Sequence, residues 1–202
     1  SRIDDTQADF QEGVLTDVEA DAGGFLRLAD VPVLDFDGVD DYVEAPYISL
    51  DTITIEAIIQ FPLSFSGTRG DVVSTHSRVG WTGYGFAKNA SDKIEWWPAN
   101  GISWNSTISN TVLNPGTWYH IAVTNDSTAR KIFINGVEDA SAAGIPDISD
   151  SSLNIRIGQH TAGTFPFNGL ITEVRIWNIA RTQAEIQADM NRTLTGSEPG
   201  LV

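Results

Sequence analysis

Apolar residues alternate with polar ones at period two in segment after segment of this chain, and this alternation constrains the fold more than any other feature. Within 52–61, Ile53, Ile55, Ala57, Ile59 and Phe61 share one face, which is the pattern of a strand with one side turned to a core. Ile121-Ala122-Val123-Thr124 ends a second strand, and Arg130 to Ile134 starts another. That strand runs into Asn135-Gly136, a tight-turn pair because both residues tolerate positive φ. Leu153 to Gly158 and Leu170 to Trp177 repeat the alternation with charges on the outer face. With turn clusters between them at short spacing, these segments predict an all-β antiparallel sandwich or barrel.

One segment has a different period. Thr182-Gln183-Ala184-Glu185 has the spacing of a capping box, and Ile186, Met190 and Leu194 follow at intervals of four. Together they predict a helix of about three turns with a narrow apolar stripe. The chain divides into 1–31, read as a β-hairpin or extension around Ala22-Gly23-Gly24 that packs on the sandwich or is exchanged with a neighbour, and a main domain over 32–202. Ser1 in place of an initiator Met, and the apolar Leu201-Val202 after a turn, read as the ends of a module within a longer chain.

Composition narrows the function. With 27 acidic against 12 basic residues the chain carries a formal charge of −15. Phosphate backbones and anionic lipid surfaces would repel it, which argues against nucleic-acid partners. No apolar run approaches the roughly eighteen residues of a spanning helix, so membrane insertion is not expected. The absence of Cys excludes disulfides, zinc ribbons, iron–sulfur ligation and thiol nucleophiles.

Several pieces in order resemble a known family. They are Val33-Leu34-Asp35-Phe36-Asp37-Gly38-Val39-Asp40-Asp41-Tyr42-Val43, Thr54-Ile55-Glu56-Ala57, and Gly116-Thr117-Trp118-Tyr119-His120-Ile121-Ala122-Val123. Phe133-Ile134-Asn135-Gly136, Ile157-Gly158 and Phe167-Asn168-Gly169 through to Asn178 follow, with the Thr182 helix behind. Over about 32–194 this set resembles laminin-G-like modules of the concanavalin A-like lectin/glucanase superfamily. The resemblance implies a jelly-roll sandwich of two curved antiparallel sheets of six or seven strands, with one short C-terminal helix and loops gathered along a rim. It also implies Ca²⁺, held structurally or bridging a ligand.

The residues must decide function within such a fold. Trp118, Ile121 and Val123 have inward spacing and are expected in the core, while His120 reads as a hydrogen-bonded structural histidine. Retaining glucanases of the superfamily carry two acids on one strand facing one cleft. Here Glu56, Glu95 and Glu173 each stand apart, and Gln159-His160 has no Tyr-x-Lys partner of the kind jelly-roll lyases use. Catalysis is therefore not expected. The aromatic distribution points to binding, because sugars present apolar ring faces to Trp and Tyr. Four of the six Trp lie within 76–105, among His76, Arg78, Trp81, Tyr84, Trp96, Trp97, Asn100, Trp104 and Asn105. Trp96 and Trp97 are neighbours, so in a regular strand one of them must face away from the core. The candidate ligand-binding residues are Trp81, Trp97, Trp104, His76, Tyr84 and His160. The candidate metal ligands are Asp35, Asp37, Asp40 and Asp41, crowded in one hairpin, since hard cations take six to eight oxygens.

The expectation is a non-enzymatic extracellular or cell-surface recognition or adhesion module, secreted, that binds a glycan or a surface protein at its loop rim. One alternative is a structural subunit of a surface assembly, self-associating by strand addition through the N-terminal segment and Gly200-Leu201-Val202. A polysaccharide hydrolase or lyase is the other.

Overall fold

The computed structural model describes residues 32–77 and 80–202. The hairpin or extension expected in 1–31 lies outside the described residues, as does Arg78.

Among the described residues, twelve strands form two antiparallel six-stranded sheets, with one α-helix and one 3₁₀ turn (Leu63–Phe65) outside them. The first sheet has the order β1 (Leu34–Asp37), β12 (Asn168–Trp177), β3 (Ile53–Gln60), β8 (Tyr119–Asn125), β9 (Ala129–Ile134), β10 (Val137–Ala143). The second has the order β2 (Val43–Ala45), β11 (Ile155–Ile157), β4 (Gly70–Ser74), β5 (Gly85–Lys88), β6 (Ile94–Trp96), β7 (Thr107–Ile108). The expected jelly-roll sandwich is the observed architecture. No helix among the described residues is long and apolar enough to cross a membrane.

The alternation read in the sequence builds the main core. Ile53, Ile55, Ala57, Ile59 and Phe61 are all fully buried, facing Val72, Val73, Phe86, Ile94 and Trp96 of the second sheet. The Trp96 indole N–H donates to the Thr124 carbonyl at 3.0 Å, so the largest core side chain satisfies its one polar group across the sandwich. The other face of β3 departs from the half-buried pattern: Thr54 and Glu56 are fully buried and Ile58 nearly so. The segment after β12 explains this. The Thr54 hydroxyl donates to the Ile179 carbonyl, and Arg181 reaches Glu56, so the chain's return path covers what would otherwise be a solvent face.

Asn135 and Gly136 take φ of 50° and 74° and turn β9 into β10, as their residue types require. In β8 Ile121 and Val123 are in the core as expected, together with Tyr119, but Trp118, just before the strand, is not in the main core. It packs with Ile58 in a smaller cluster on the outer face. β12 contains an irregularity between Thr172 and Arg175, with Glu173 at φ 51°. The extra residue moves the inward positions from Ile171 to Val174 and Ile176.

Helix α1 (Gln183–Asp189) begins at the capping box: Glu185 N–H donates to Thr182 Oγ1, and Thr182 N–H to Glu185 Oε2. It has seven residues, about two turns instead of the three expected, because the chain turns at Met190. Ile186 seats it against Ala122 and Phe133 on the outer face of the first sheet. Beneath it lies a charge network centred on fully buried Glu56, which pairs with Arg181 at 2.8 Å, His120 at 3.3 Å and Arg175 at 3.6 Å. His120 is thus held by a hydrogen bond, as its position in a strand implied. The C-terminal residues fold back on their own β12: Leu201 bridges Trp177, and Val202 N–H donates to the Ile176 carbonyl. Residues 200–202, one alternative route to a neighbouring chain, make these hydrogen bonds within the molecule.

Candidate functional site

Strand parity on β6 organises the site. Trp96 points into the core, so Glu95 and Trp97 on either side of it must point to the opposite face of the second sheet. Register adds a third group. Asp71 of β4 lies opposite Ala87 of β5, and Ala87 lies opposite Glu95. The two carboxylates therefore share a face with only a methyl group between them. Arg69, immediately before β4, fills that space. Its Nε donates to Asp71 Oδ1 at 3.0 Å and its Nη1 to Glu95 Oε2 at 3.3 Å. The guanidinium lies over the rings of Trp97 (4.4 Å) and Phe165 (4.8 Å), which fixes its plane by cation–π stacking.

Three loops close around this floor: the one after β4 brings His76 and Trp81, the one after β6 brings Trp104 and Ser106, and the one after β11 brings His160 and Phe165. With Arg69, Glu95 and Trp97 they line an open pocket of about 430 Å³, within the size range of small-ligand sites. Backbone bonds tie the loops together. Gly101 N–H donates to the Trp81 carbonyl at 2.9 Å, Asp71 N–H to the Phe165 carbonyl at 3.0 Å, and the Thr161 hydroxyl to the His76 carbonyl.

The two histidines brace the aromatic wall. Ala162 N–H, which can only donate, bonds His160 Nδ1 at 2.9 Å, so the His160 proton sits on Nε2 and is donated to His76 Nδ1 at 2.5 Å. His76 in turn meets Trp104 edge-on with ring centroids 3.6 Å apart, and Trp104 meets Trp81 at 5.1 Å and 76°. Trp81 and Trp104 thus form a corner, and Trp81 is 42% exposed.

Two of the lining aromatics have strained backbones. Six non-glycine residues have positive φ among the described residues, and the two aromatic ones are Trp81 at 55° and Phe165 at 53°, both in the pocket wall. A bulky side chain in this region is uncommon and costs of order 1–3 kcal/mol. Such strain collects where surrounding structure holds a side chain in place for binding.

Of the candidate ligand-binding residues, Trp81, Trp97, Trp104, His76 and His160 come together here. Tyr84 does not. It is fully buried in the main core, where its hydroxyl donates to the Ile48 carbonyl at 2.9 Å, and burial pushes that hydroxyl's pKa well above the ordinary phenol range. Its loop-rich neighbourhood concealed that β5 begins at the next residue. Sequence reasoning missed Arg69, Phe165 and Ser106 and set Glu95 aside as a lone acid. The one available signal was parity, since Glu95 must share its face with Trp97.

The acidic hairpin is a separate feature. Asp37, Asp40 and Asp41 each offer an oxygen within 4.8 Å of the others, and Asp35 is not part of the group because it lies on β1, paired opposite Leu170. Asp37 Oδ1 accepts from Val39 N–H at 2.7 Å, and Asp41 Oδ2 from Asp37 N–H at 2.9 Å. Burial, and then the charges of Asp37 and Asp40, raise the Asp41 pKa against the lowering effect of the Asp37 amide. A second groove of about 410 Å³, lined by Ile48, Ile155, Ile157, Val174, Leu194 and Val202 among others, contains none of the candidate residues.

The family model for laminin G domains, described as the concanavalin A-like lectin/glucanases superfamily, matches residues 37–187. The chain belongs to this family. Among solved structures the laminin G domain is similar to a candidate carbohydrate-binding protein from Bacteroides ovatus, at 21% identity and a TM-score of 0.67 over 85% of this chain and 50% of that one. It is also similar to the receptor-binding domain of botulinum neurotoxin D, at 15% identity and a TM-score of 0.62 over 80% and 44%. A heptameric pentraxin from Limulus polyphemus gives 15% identity and a TM-score of 0.57 over 84% and 90%. At these identities the likeness establishes the fold. An 80-residue stretch is 34% identical to mouse pappalysin-1, covering 38% of this chain and 5% of that protein. The laminin G domain thus matches a small part of pappalysin-1 and about half of the Bacteroides protein.

Proposed function

We propose that this laminin G domain is a non-catalytic glycan-recognition module of an extracellular or cell-surface protein, and that its binding site is the pocket walled by Trp81, Trp97 and Trp104. The observation that carries this reading is the convergence of three loops on one open aromatic pocket, two of whose lining residues, Trp81 and Phe165, are held in strained conformations. Sugar rings offer apolar faces to such walls, and Arg69, Glu95 and Ser106 offer hydroxyl partners beside them. The botulinum and Bacteroides neighbours, by their names receptor- and carbohydrate-binding, support the same reading.

Catalysis is not part of it. Glycoside hydrolysis needs two carboxyls flanking the scissile bond, whereas here Asp71 is fully buried and both carboxylates on this face are tied to Arg69. Calcium enters as a structural ion at Asp37, Asp40 and Asp41. Three carboxylates supply part of the oxygen set that Ca²⁺ requires, and their mutual repulsion is what a cation would relieve. None of these aspartates lines the pocket, so the ion would stabilise the hairpin without touching the ligand.

The test is a glycan array probed with the chain in Ca²⁺ and in EDTA. Glycan binding in both conditions is expected, and its loss in Trp104→Ala would assign it to the pocket. Failure to bind any glycan in either condition would refute the proposal.

A further inference from the structure

The polar groups in the pocket are arranged to discriminate among glycans. Arg69 has five N–H donors. Nε is bonded to Asp71 and Nη1 to Glu95, and among the described residues Nη2 makes no hydrogen bond to protein. Glu95 accepts through Oε2, and its Oε1 likewise has no protein partner among the described residues. Both side chains line the pocket and are partly exposed, Arg69 at 29% and Glu95 at 20%. A donor and an acceptor with hydrogen-bonding capacity to spare therefore stand side by side. Stacking on Trp97 and Phe165 fixes the guanidinium plane, so the pair is pre-organised before any ligand arrives.

We infer that the Arg69–Glu95 ion pair reads a vicinal diol of a sugar unit, one hydroxyl accepting from Arg69 and its neighbour donating to Glu95, and that the Glu95 charge beside this diol selects neutral glycans over uronic-acid glycans. The inference rests on the glycan-binding reading of this pocket. A hydroxyl both donates and accepts, so two adjacent ones complete the pair. A uronate unit offers the same pair of hydroxyls, but its carboxylate brings a like charge beside Glu95. Arg69 already shares its charge with Asp71 and Glu95, which weakens its own attraction for that carboxylate.

Calorimetric titration of the full chain with cellohexaose, mannohexaose and galactohexaose, and with hexagalacturonate and hexamannuronate, tests this directly. The best neutral hexaose should bind at least tenfold more tightly than either uronate. Glu95→Gln keeps an acceptor for Arg69 and removes the charge. It should weaken the neutral ligand severalfold and raise uronate affinity, narrowing the ratio at least tenfold while the melting temperature stays near that of the unmodified chain. Uronates binding as tightly as neutral hexaoses, or a ratio unchanged in Glu95→Gln, would overturn the inference while leaving a glycan site in place. No binding of any of the five, in a chain that also fails on the array, would instead remove the glycan reading on which it rests.

Discussion

Trp81 supplies the wall on which a ligand would lie, and its strained backbone lets binding be separated from stability. At 42% exposure, and taking about 250 Å² for a fully exposed tryptophan side chain, it shows about 105 Å² to solvent. A sugar ring covering half of that removes about 50 Å² of apolar surface, about 1.3 kcal/mol at 25 cal/mol per Å², or close to tenfold in affinity. Trp81→Gly should therefore weaken the best neutral hexaose by about tenfold in calorimetry. Its effect on folding is different in kind. Trp81→Gly gives up about 145 Å² of buried ring, about 3.6 kcal/mol at the same coefficient, the edge contact with Trp104 adds about 1 kcal/mol, and glycine adds about 0.5–1 kcal/mol of unfolded-state entropy. Release of a φ of 55° returns about 1–2 kcal/mol. The losses exceed this return by about 4 kcal/mol, so Trp81→Gly should lower the melting temperature by about 10 °C in a chain of this size. Trp81→Ala loses the same wall but keeps the strain, and should be less stable than Trp81→Gly by about 1 kcal/mol. Full affinity in Trp81→Gly, or alanine as stable as glycine, would refute the reasoning.

Burial pushes the Glu56 carboxyl up, but the hydrogen bonds and charges of His120 and Arg181 outweigh it and hold the pKa below the usual range. Its contribution to stability is thus present above the ordinary glutamate pKa and is lost as pH falls through the lower folded value. Glu56→Gln leaves buried Arg181 and Arg175 short of a counter-charge and should cost about 3 kcal/mol at neutral pH, with a smaller deficit in acid denaturation profiles. At Asp41 the sign is opposite, since its folded pKa is raised. The charged form is disfavoured above that pKa, so Asp41→Asn should raise the melting temperature at pH 7 in EDTA, with no gain below the ordinary aspartate range. Added Ca²⁺ should stabilise the unmodified chain more than this variant, and equal shifts would count against the ion site. Gly158 has φ 85°, and a Cβ there would lie 2.2 Å from the Phe36 ring. Gly158→Ala should destabilise the fold by more than about 2 kcal/mol in urea denaturation.

The strands were legible because their cause is local. Ile53 to Phe61, the Asn135-Gly136 turn and the Thr182–Glu185 capping box each carry their instruction within a few residues, and parity alone required one of Trp96 and Trp97 to leave the core. The aromatic content of the pocket was legible for the same reason, as a cluster of tryptophans in irregular sequence. What parity could not supply was depth. Tyr84 looked like its loop neighbours yet lies fully buried, and the outer face of β3 is covered by a segment more than a hundred residues away. The Arg69–Asp71–Glu95 arrangement depends on the register of β4, β5 and β6, and the His76–His160 brace on two loops 84 residues apart in sequence meeting at one end of the sheet. Side-chain period is a property of the backbone and can be read along the chain. Which charges and rings meet depends on strand pairing and loop packing, and these are settled only when the two sheets close on a common core.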